Sequence, residues 1–222
     1  MPTRNQFVTG AAPTTRPDAA AGRSVYARVA KPGLDAALAA ALLVVAGIPM
    51  LAIALAIRLD AGGPVLFRQE RVGKDGRPFV VLKFRTMVAD RRVQPRPFAG
   101  SDRRRRHKTP ADPRVTRVGR WLRRASLDEL PQLANVLCGE MSLVGPRPEL
   151  PSIVAAYEPW QHARHAVRPG MTGWWQVQGR SDLPMHEHTD LDVWYVDNVS
   201  FLLDLRILLR TARVCLGRSG AF

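Results

Sequence analysis

From Ala36 to Ile57 no residue carries a charge and nearly all are apolar, the one stretch of this chain with the makings of a membrane segment. At about 1.5 Å per residue a helix of that length just crosses a hydrocarbon core, which needs roughly 20 residues. Pro49, preceded by Gly47, lies near its middle, where it removes a backbone hydrogen bond and predicts a kink. Arg23, Arg28 and Lys31 precede the run, and Arg58, Arg68, Arg71, Lys74 and Arg77 follow it. Basic residues mark cytoplasmic flanks, so a run that is basic on both sides fits poorly with one inner and one outer end. A helix-break-helix hairpin that returns to its own leaflet satisfies both features; a tilted, Pro-kinked transmembrane helix is the alternative.

Beyond Asp60-Ala-Gly-Gly-Pro64 the pattern changes to short β-prone runs, Val65 to Gln69 and Phe79 to Phe84. Gly73-Lys-Asp-Gly76 separates them, which predicts a β-hairpin. The polar, Pro- and Arg-rich stretch from Ala89 to Pro113, with Arg103 to Arg106 at its centre, predicts a mobile surface loop. Helical spacing resumes over Arg117 to Arg124 and over Leu127 to Leu137, where Leu130, Leu133, Ala134 and Leu137 recur and Gly139 supplies a stop. A further helix is predicted near Ser152 to His165. Phe201, Leu205, Leu208, Ala212 and Cys215 fall at three- and four-residue steps with Arg206, Arg210 and Arg213 between them. That is a basic amphipathic helix, suited to an anionic membrane surface or to packing on the domain.

The 222 residues hold enough for one core and one catalytic unit. The chain divides into a disordered Pro- and Ala-rich tail over 1–30, a membrane helix over 31–60 and a catalytic domain over 61–217. A net charge of +14 means that anions collect here, whether nucleic acid, anionic bilayer or phosphorylated substrate. Cys138 and Cys215 form no CxxC pair and make a poor disulfide framework, which fits a reducing, cytoplasmic-side setting.

Ser126-Leu-Asp-Glu129 reads locally as a capping box, with Ser126 capping the helix and Glu129 reaching back to its first amides. Asp128 and Glu129 would then lie in a first turn that favours carboxylates and nearby anions. A carboxylate that attacks a diphosphate must overcome repulsion between like charges. Mg²⁺, commonly held by one or two carboxylates plus phosphate oxygens, would do so at a neighbouring Asp-Glu pair. Arg123, Arg147, Arg168 and Arg180 are candidate phosphate clamps, since a guanidinium fork matches phosphate oxygens. Gly145-Pro-Arg-Pro148 encloses Arg147 between prolines, and Arg168-Pro-Gly-Met-Thr-Gly173 and Gln178-Gly-Arg180 mix glycine with positive charge. Lys83 and Arg85 alternate with Phe84 and share a strand face, which could meet an anionic ligand or water. His186, Glu187, His188 and Asp190 lack a metal-site spacing and read as a solvated loop.

In order along the chain, Phe67-Arg-Gln-Glu-Arg-Val-Gly73, Lys83-Phe-Arg-Thr-Met87, Asp112-Pro-Arg-Val-Thr-Arg-Val-Gly119, Ser126-Leu-Asp-Glu-Leu-Pro-Gln-Leu133, Met141-Ser-Leu-Val-Gly-Pro-Arg-Pro148 and Arg168-Pro-Gly-Met-Thr-Gly173 resemble the bacterial sugar transferases, the monotopic phosphoglycosyl transferases. The resemblance runs from about Lys31 to about Arg213. It implies a mainly helical α/β membrane protein with a re-entrant helix hairpin broken at Pro49, interfacial amphipathic helices and a small β-hairpin, held at the cytoplasmic face of the inner membrane. Where the family usually has Ser-Pro at the break, this chain has Ile48-Pro49. The implied activity moves a sugar-1-phosphate from a UDP-sugar to undecaprenyl phosphate with release of UMP, through a phosphosugar carried on Asp128. Glu129 would help Asp128 hold Mg²⁺, while Lys83, Arg123, Arg147 and Arg180 would surround phosphates and nucleotide. Such an exchange initiates exopolysaccharide or other glycoconjugate assembly. Anionic lipids are expected partners, nucleic acid is not, and a homodimer is compatible with the sequence. Rival readings are a membrane-tethered binder of nucleic acid or acidic polymer, and a metal-dependent phosphohydrolase using the same dyad.

Overall fold

The computed structural model describes residues 25–88, 112, 114–179 and 188–216. Residues 1–24 of the expected tail, most of the Arg-rich loop, Arg180, His186 and Glu187 lie outside the described residues, while residues 25–30 of that tail are helical.

A π-helical turn, Tyr26–Ala30, leads into α1, Lys31–Ala61, which at 31 residues is about 46 Å long. Among the described residues this is the one helical stretch long and apolar enough to cross a membrane. The expected separation into two helices at Pro49 is not observed, because α1 continues through that residue. Proline deletes a single N–H from the ladder, and the hydrogen bonds of the turns on either side carry the helix past it.

Val44, Val45 and Ile48, at the middle of α1, are 76–82% exposed, although they are strongly apolar. Toward both ends, by contrast, one face is covered by the rest of the chain. Ala39 and Leu43 belong to the main core with Leu133, Val136, Met141 and Val196; Ile53, Ile57, Met50 and Ala54 pack with Phe84 and Leu122 in a second cluster. Polar contacts fasten each end. Buried Lys31 pairs with Asp204 at 2.6 Å, and Asp35 accepts a hydrogen bond from Ser142 Oγ at 2.7 Å. At the other end Asp60 accepts from the Val118 amide at 3.0 Å.

After α1 come β1, Leu66–Val72, and β2, Pro78–Phe84, an antiparallel hairpin in which Phe67 opposes Lys83. Its turn contains Asp75 and Gly76 at φ of 54° and 75°, a left-handed pair that glycine and aspartate tolerate. Next are α2, Arg117–Arg124, and α3, Gln132–Leu137, separated by a 3₁₀ turn over Leu127–Glu129. The continuous helix expected from Leu127 is thus interrupted, with Pro131 immediately before α3. Two short parallel strands, β3 (Ser142–Val144) and β4 (Gly170–Thr172), form a second sheet. Between them the expected single helix is instead α4, Pro151–Val154, and a 3₁₀ helix over Pro159–Ala166. Pro159 forces the change, and Gln161 Oε1 accepts from the Glu158 amide at 2.8 Å to start the new helix.

The remaining helices are α5 (Trp174–Gly179), α6 (Thr189–Asn198) and α7 (Phe201–Leu216). On α7 the packed side carries Leu203, Asp204, Ile207 and Leu208, while Phe201, Leu202, Leu205 and Leu209 are exposed. The apolar stripe read from three- and four-residue steps therefore divides between core and surface.

Candidate active site

Strand β2 delivers Lys83, the turn after α2 delivers Asp128 and Glu129, and the loop after β3 delivers Arg147. Lys83 Nζ and Arg147 Nη2 both donate to the same Glu129 oxygen, Oε1, at 2.7 and 2.8 Å. The buried Asn135 side chain ties α3 to β2: Oδ1 accepts from the Leu82 amide at 3.1 Å and Nδ2 donates to the Val80 carbonyl at 2.8 Å. Lys83 is thereby held over the turn that begins α3.

Ser126 adopts a left-handed backbone, φ 55° and ψ 20°, and its side chain makes no cap hydrogen bond. The capping-box expectation fails for that reason, since a capping Ser needs extended backbone to aim its hydroxyl at the following amides. The left-handed residue instead turns the chain sharply after α2 and costs roughly 1–2 kcal/mol. Its effect is to put Asp128 and Glu129 on a separate turn facing Lys83.

Helix α2 is pressed against the segment after β2. A Cβ on Gly119 would lie 2.2 Å from the Thr86 carbonyl oxygen, so glycine is needed for this approach. Thr116 caps the helix by accepting from the Gly119 amide at 2.9 Å. Arg123 Nε then donates to Thr86 Oγ1 at 2.9 Å, and its charge acts on Asp128.

The loop after β3 is unusually well held. Four consecutive carbonyls accept hydrogen bonds: Pro146 from the Gly170 amide, Arg147 from Arg164, Pro148 from Arg71, and Glu149 from the Val72 amide. The glycines around it serve packing. A Cβ on Gly170 would fall 2.1 Å from the Gly145 nitrogen, and one on Gly173 would fall 2.2 Å from the Gly145 carbonyl oxygen.

Burial alone would push the Glu129 carboxyl up, but the Arg147 and Lys83 charges and their hydrogen bonds prevail and hold it well below the usual carboxylate range. Asp128 shifts the other way. Burial and the Glu129 charge raise its proton affinity, and Lys83, Arg147 and Arg123 only partly offset them. Burial, followed by Arg147, lowers Lys83 against the pull of Glu129, whereas the Glu129 charge raises Arg147. Two adjacent carboxylates with opposite shifts have different roles open to them: Glu129 is a fixed anion, and Asp128 an electron-rich one.

Among the described residues the Asp128 side chain forms neither a hydrogen bond nor an ion pair. No group of three or more His, Cys, Asp and Glu suited to a metal exists there either. Asp128 and the second Glu129 oxygen fit Mg²⁺ only in the manner of a site with two carboxylates, completed by substrate phosphate oxygens.

Several sequence-based candidates fall elsewhere. Arg168 lies against Gly139, past the far end of α3, and not at the dyad. Arg85 leaves the face it shares with Lys83 and donates to the Ala61 and Gly62 carbonyls at the end of α1. Arg180 lies outside the described residues. Conversely, Asn135, Arg164 and Asp192 support the site without having stood out in the sequence, and Thr86 lay inside the Lys83–Met87 motif without a role assigned to it; the one signal, for Asn135 and Asp192, was a polar residue among the apolar positions of a helix.

The family model for bacterial sugar transferases matches residues 26–218. This chain belongs to the bacterial sugar transferase family. It is 46% identical over 164 residues to an uncharacterized sugar transferase of Bacillus subtilis, covering 74% of this chain and 76% of that one. With the undecaprenyl-phosphate glucose phosphotransferase of Komagataeibacter xylinus it shares 46% identity over 187 residues, covering 79% of this chain and 34% of the relative. With the undecaprenyl-phosphate galactose phosphotransferase of Salmonella typhimurium it shares 42% over 167 residues, covering 72% and 35%. The chain thus spans about a third of the length of these phosphotransferases, and most of the shorter relative. Its Lys83–Met87, Ser126–Leu133 and Met141–Pro148 motifs converge on the dyad, whereas Arg168–Gly173 buttresses the Arg147 loop from behind.

Proposed function

We propose that this chain moves a sugar-1-phosphate from a UDP-sugar to undecaprenyl phosphate at a membrane surface. The observation that carries the reading is the Asp128 carboxylate, unpaired among the described residues, beside a Glu129 neutralised by Lys83 and Arg147. An Asp128 oxygen attacks the phosphorus bonded to the sugar; the new O–P bond forms as the bridging P–O bond breaks, and UMP leaves with the electron pair. A phosphate oxygen of undecaprenyl phosphate then attacks the same phosphorus, and the Asp128 carboxylate is regenerated. Dividing one displacement into two is covalent catalysis, with ping-pong kinetics as its mark. Lys83, Arg123 and Arg147 lower the repulsion between carboxylate and diphosphate. Bound Mg²⁺, held by Asp128 and Glu129, would supply further charge neutralisation on the phosphate oxygens. Arg180 is expected to join the nucleotide side of the site.

The membrane reading rests on α1. Both of its ends pack on the same folded body, while its apolar middle is bare. A straight crossing would put the two ends on opposite sides of a bilayer, which one domain touching both cannot permit. We therefore place α1 in a single leaflet, bent at Pro49, with the domain on the cytoplasmic face. On α2 the exposed stripe Arg117, Arg120, Trp121 and Arg124, and on α7 the exposed Leu202, Leu205, Arg206 and Leu209, suit anionic lipid.

The purified protein with Mg²⁺, undecaprenyl phosphate and a panel of UDP-sugars is expected to release UMP over many turnovers together with the lipid-linked product, to release at most one equivalent of UMP per enzyme without the lipid, and to do neither as Asp128→Asn. Full activity in that variant removes Asp128 from the nucleophile role. UMP release beyond one equivalent per enzyme without lipid acceptor would indicate the phosphohydrolase.

A further inference from the structure

Arg147 can hold Glu129 and meet a diphosphate only while the loop from Gly145 to Glu149 keeps its backbone in place. Of the donors to its four carbonyls, Arg164 is the only fully buried side chain, 2% exposed. Its guanidinium serves three acceptors from different parts of the chain. Nη1 donates to Tyr157 Oη at 2.7 Å, and Nη2 to both Asp192 Oδ2 and the Arg147 carbonyl at 2.6 Å. Asp192, on α6, is 1% exposed and pairs with no other cation among the described residues.

A buried ion pair is a poor stabiliser, because desolvation cancels much of its attraction and an apolar pair of similar volume often does as well. Its geometry is another matter. A guanidinium locked by a carboxylate on one side and a phenol on the other has a fixed plane, so its remaining donor points in a fixed direction. Here that direction is the backbone of the residue that clamps the site. We propose that Arg164, held by Asp192 and Tyr157, is a positioning residue that fixes Arg147 against Glu129. The pair reaches the reaction only through Arg147 and touches neither carboxylate of the dyad. This inference rests on the transferase reading for its kinetic consequence, but not for its structural one.

The discriminating variant is the double replacement Arg164→Met with Asp192→Leu in the full-length protein. It removes both members of the pair, so neither is left as a lone buried charge, and Glu149 keeps Arg71 beside it; the Arg147 carbonyl loses its donor. The expected result is cooperative melting near the wild-type temperature with kcat/KM for UMP release lowered on the order of 10²-fold, the scale of a misplaced catalytic contact. Adding Arg147→Ala to the double variant should cost much less than it costs in the wild type. Hydrogen exchange at the Gly170 amide, which donates to the Pro146 carbonyl of the loop, should quicken at least tenfold, with the β1–β2 hairpin unchanged. A stable double variant with wild-type kcat/KM and wild-type exchange overturns the proposal. If the double variant does not fold, Arg164→Lys serves: one ammonium cannot span the three acceptors, so kcat/KM should fall about tenfold, and an unchanged value overturns the proposal. A wild-type protein inert toward every UDP-sugar would sink the transferase reading, while the exchange measurement still decides whether Arg164 positions the loop.

Discussion

His165 stands next to Arg164 and has a measurable consequence of its own. The ring is nearly enclosed, stacks on Tyr157 at 6.1 Å, and its Nε2 is buried without a hydrogen-bond partner. Burial first, then the charges of Arg164 and His162, bring it from an ordinary 6.5 down to about 4. A histidine lowered on folding stays neutral in the native state while the unfolded chain takes up a proton. Its contribution is therefore complete above about pH 6.5 and is lost as pH falls toward 4. At 1.36 kcal/mol for each tenfold in proton affinity, the loss is about 2 kcal/mol by pH 5 and about 3 kcal/mol near pH 4. For a domain of this size the pH 5 figure corresponds to roughly 4–8 °C in Tm. His165→Phe keeps the stacking and removes both the titration and the orphaned nitrogen. Melting of the wild type and of this variant, in one detergent from pH 7 to 4.5, should show the two curves diverging below pH 6.5, with the variant falling less. Parallel curves across that window would refute the reasoning, and with it the placement of the ring in a closed, positively charged setting.

Other outcomes follow from the site. Asp128 is raised by burial and Glu129 against the opposing Lys83, so Lys83→Gln should move the acid limb of the kcat/KM profile to higher pH, and an unmoved limb would separate the two groups electrostatically. Glu129→Gln leaves Lys83 and Arg147 without their shared anion; we expect a loss of about 2–4 kcal/mol in unfolding free energy, read by chemical denaturation, besides lost activity. Gly119→Ala forces α2 off the Thr86 carbonyl and should cost roughly 1–3 kcal/mol together with the Arg123–Thr86 contact, whereas Gly47→Ala, with open space around it, should leave stability unchanged or slightly higher. For topology, cysteines placed on the two flanks of α1 should both be labelled from the cytoplasmic side, and labelling of one flank from outside would restore a transmembrane crossing.

The sequence by itself determined what depends on near neighbours. Alternation placed the hairpin within a few residues of β1 and β2, three- and four-residue spacing located α2 and much of α7, and the uncharged run marked α1. Motif order pointed to Asp128, Glu129, Lys83, Arg123 and Arg147, all five of which the structure joins through ion pairs or their fields. Only the tertiary structure decided which cation met which anion. Lys83 and Arg85 read in sequence as sharing a strand face, yet one pairs with a carboxylate 46 positions away while the other, just past the end of β2, closes the end of α1. Arg147 and Arg168 both stand in Pro-Gly loops, but only the loop pinned by Arg164 points into the site. Periodicity and propensity act over one or two turns, whereas an ion pair is chosen by the packing that brings distant segments within 3 Å. The bare middle of α1 reads as apolar in either case; that both its ends serve a single domain is a fact of contacts, which no run of residues contains.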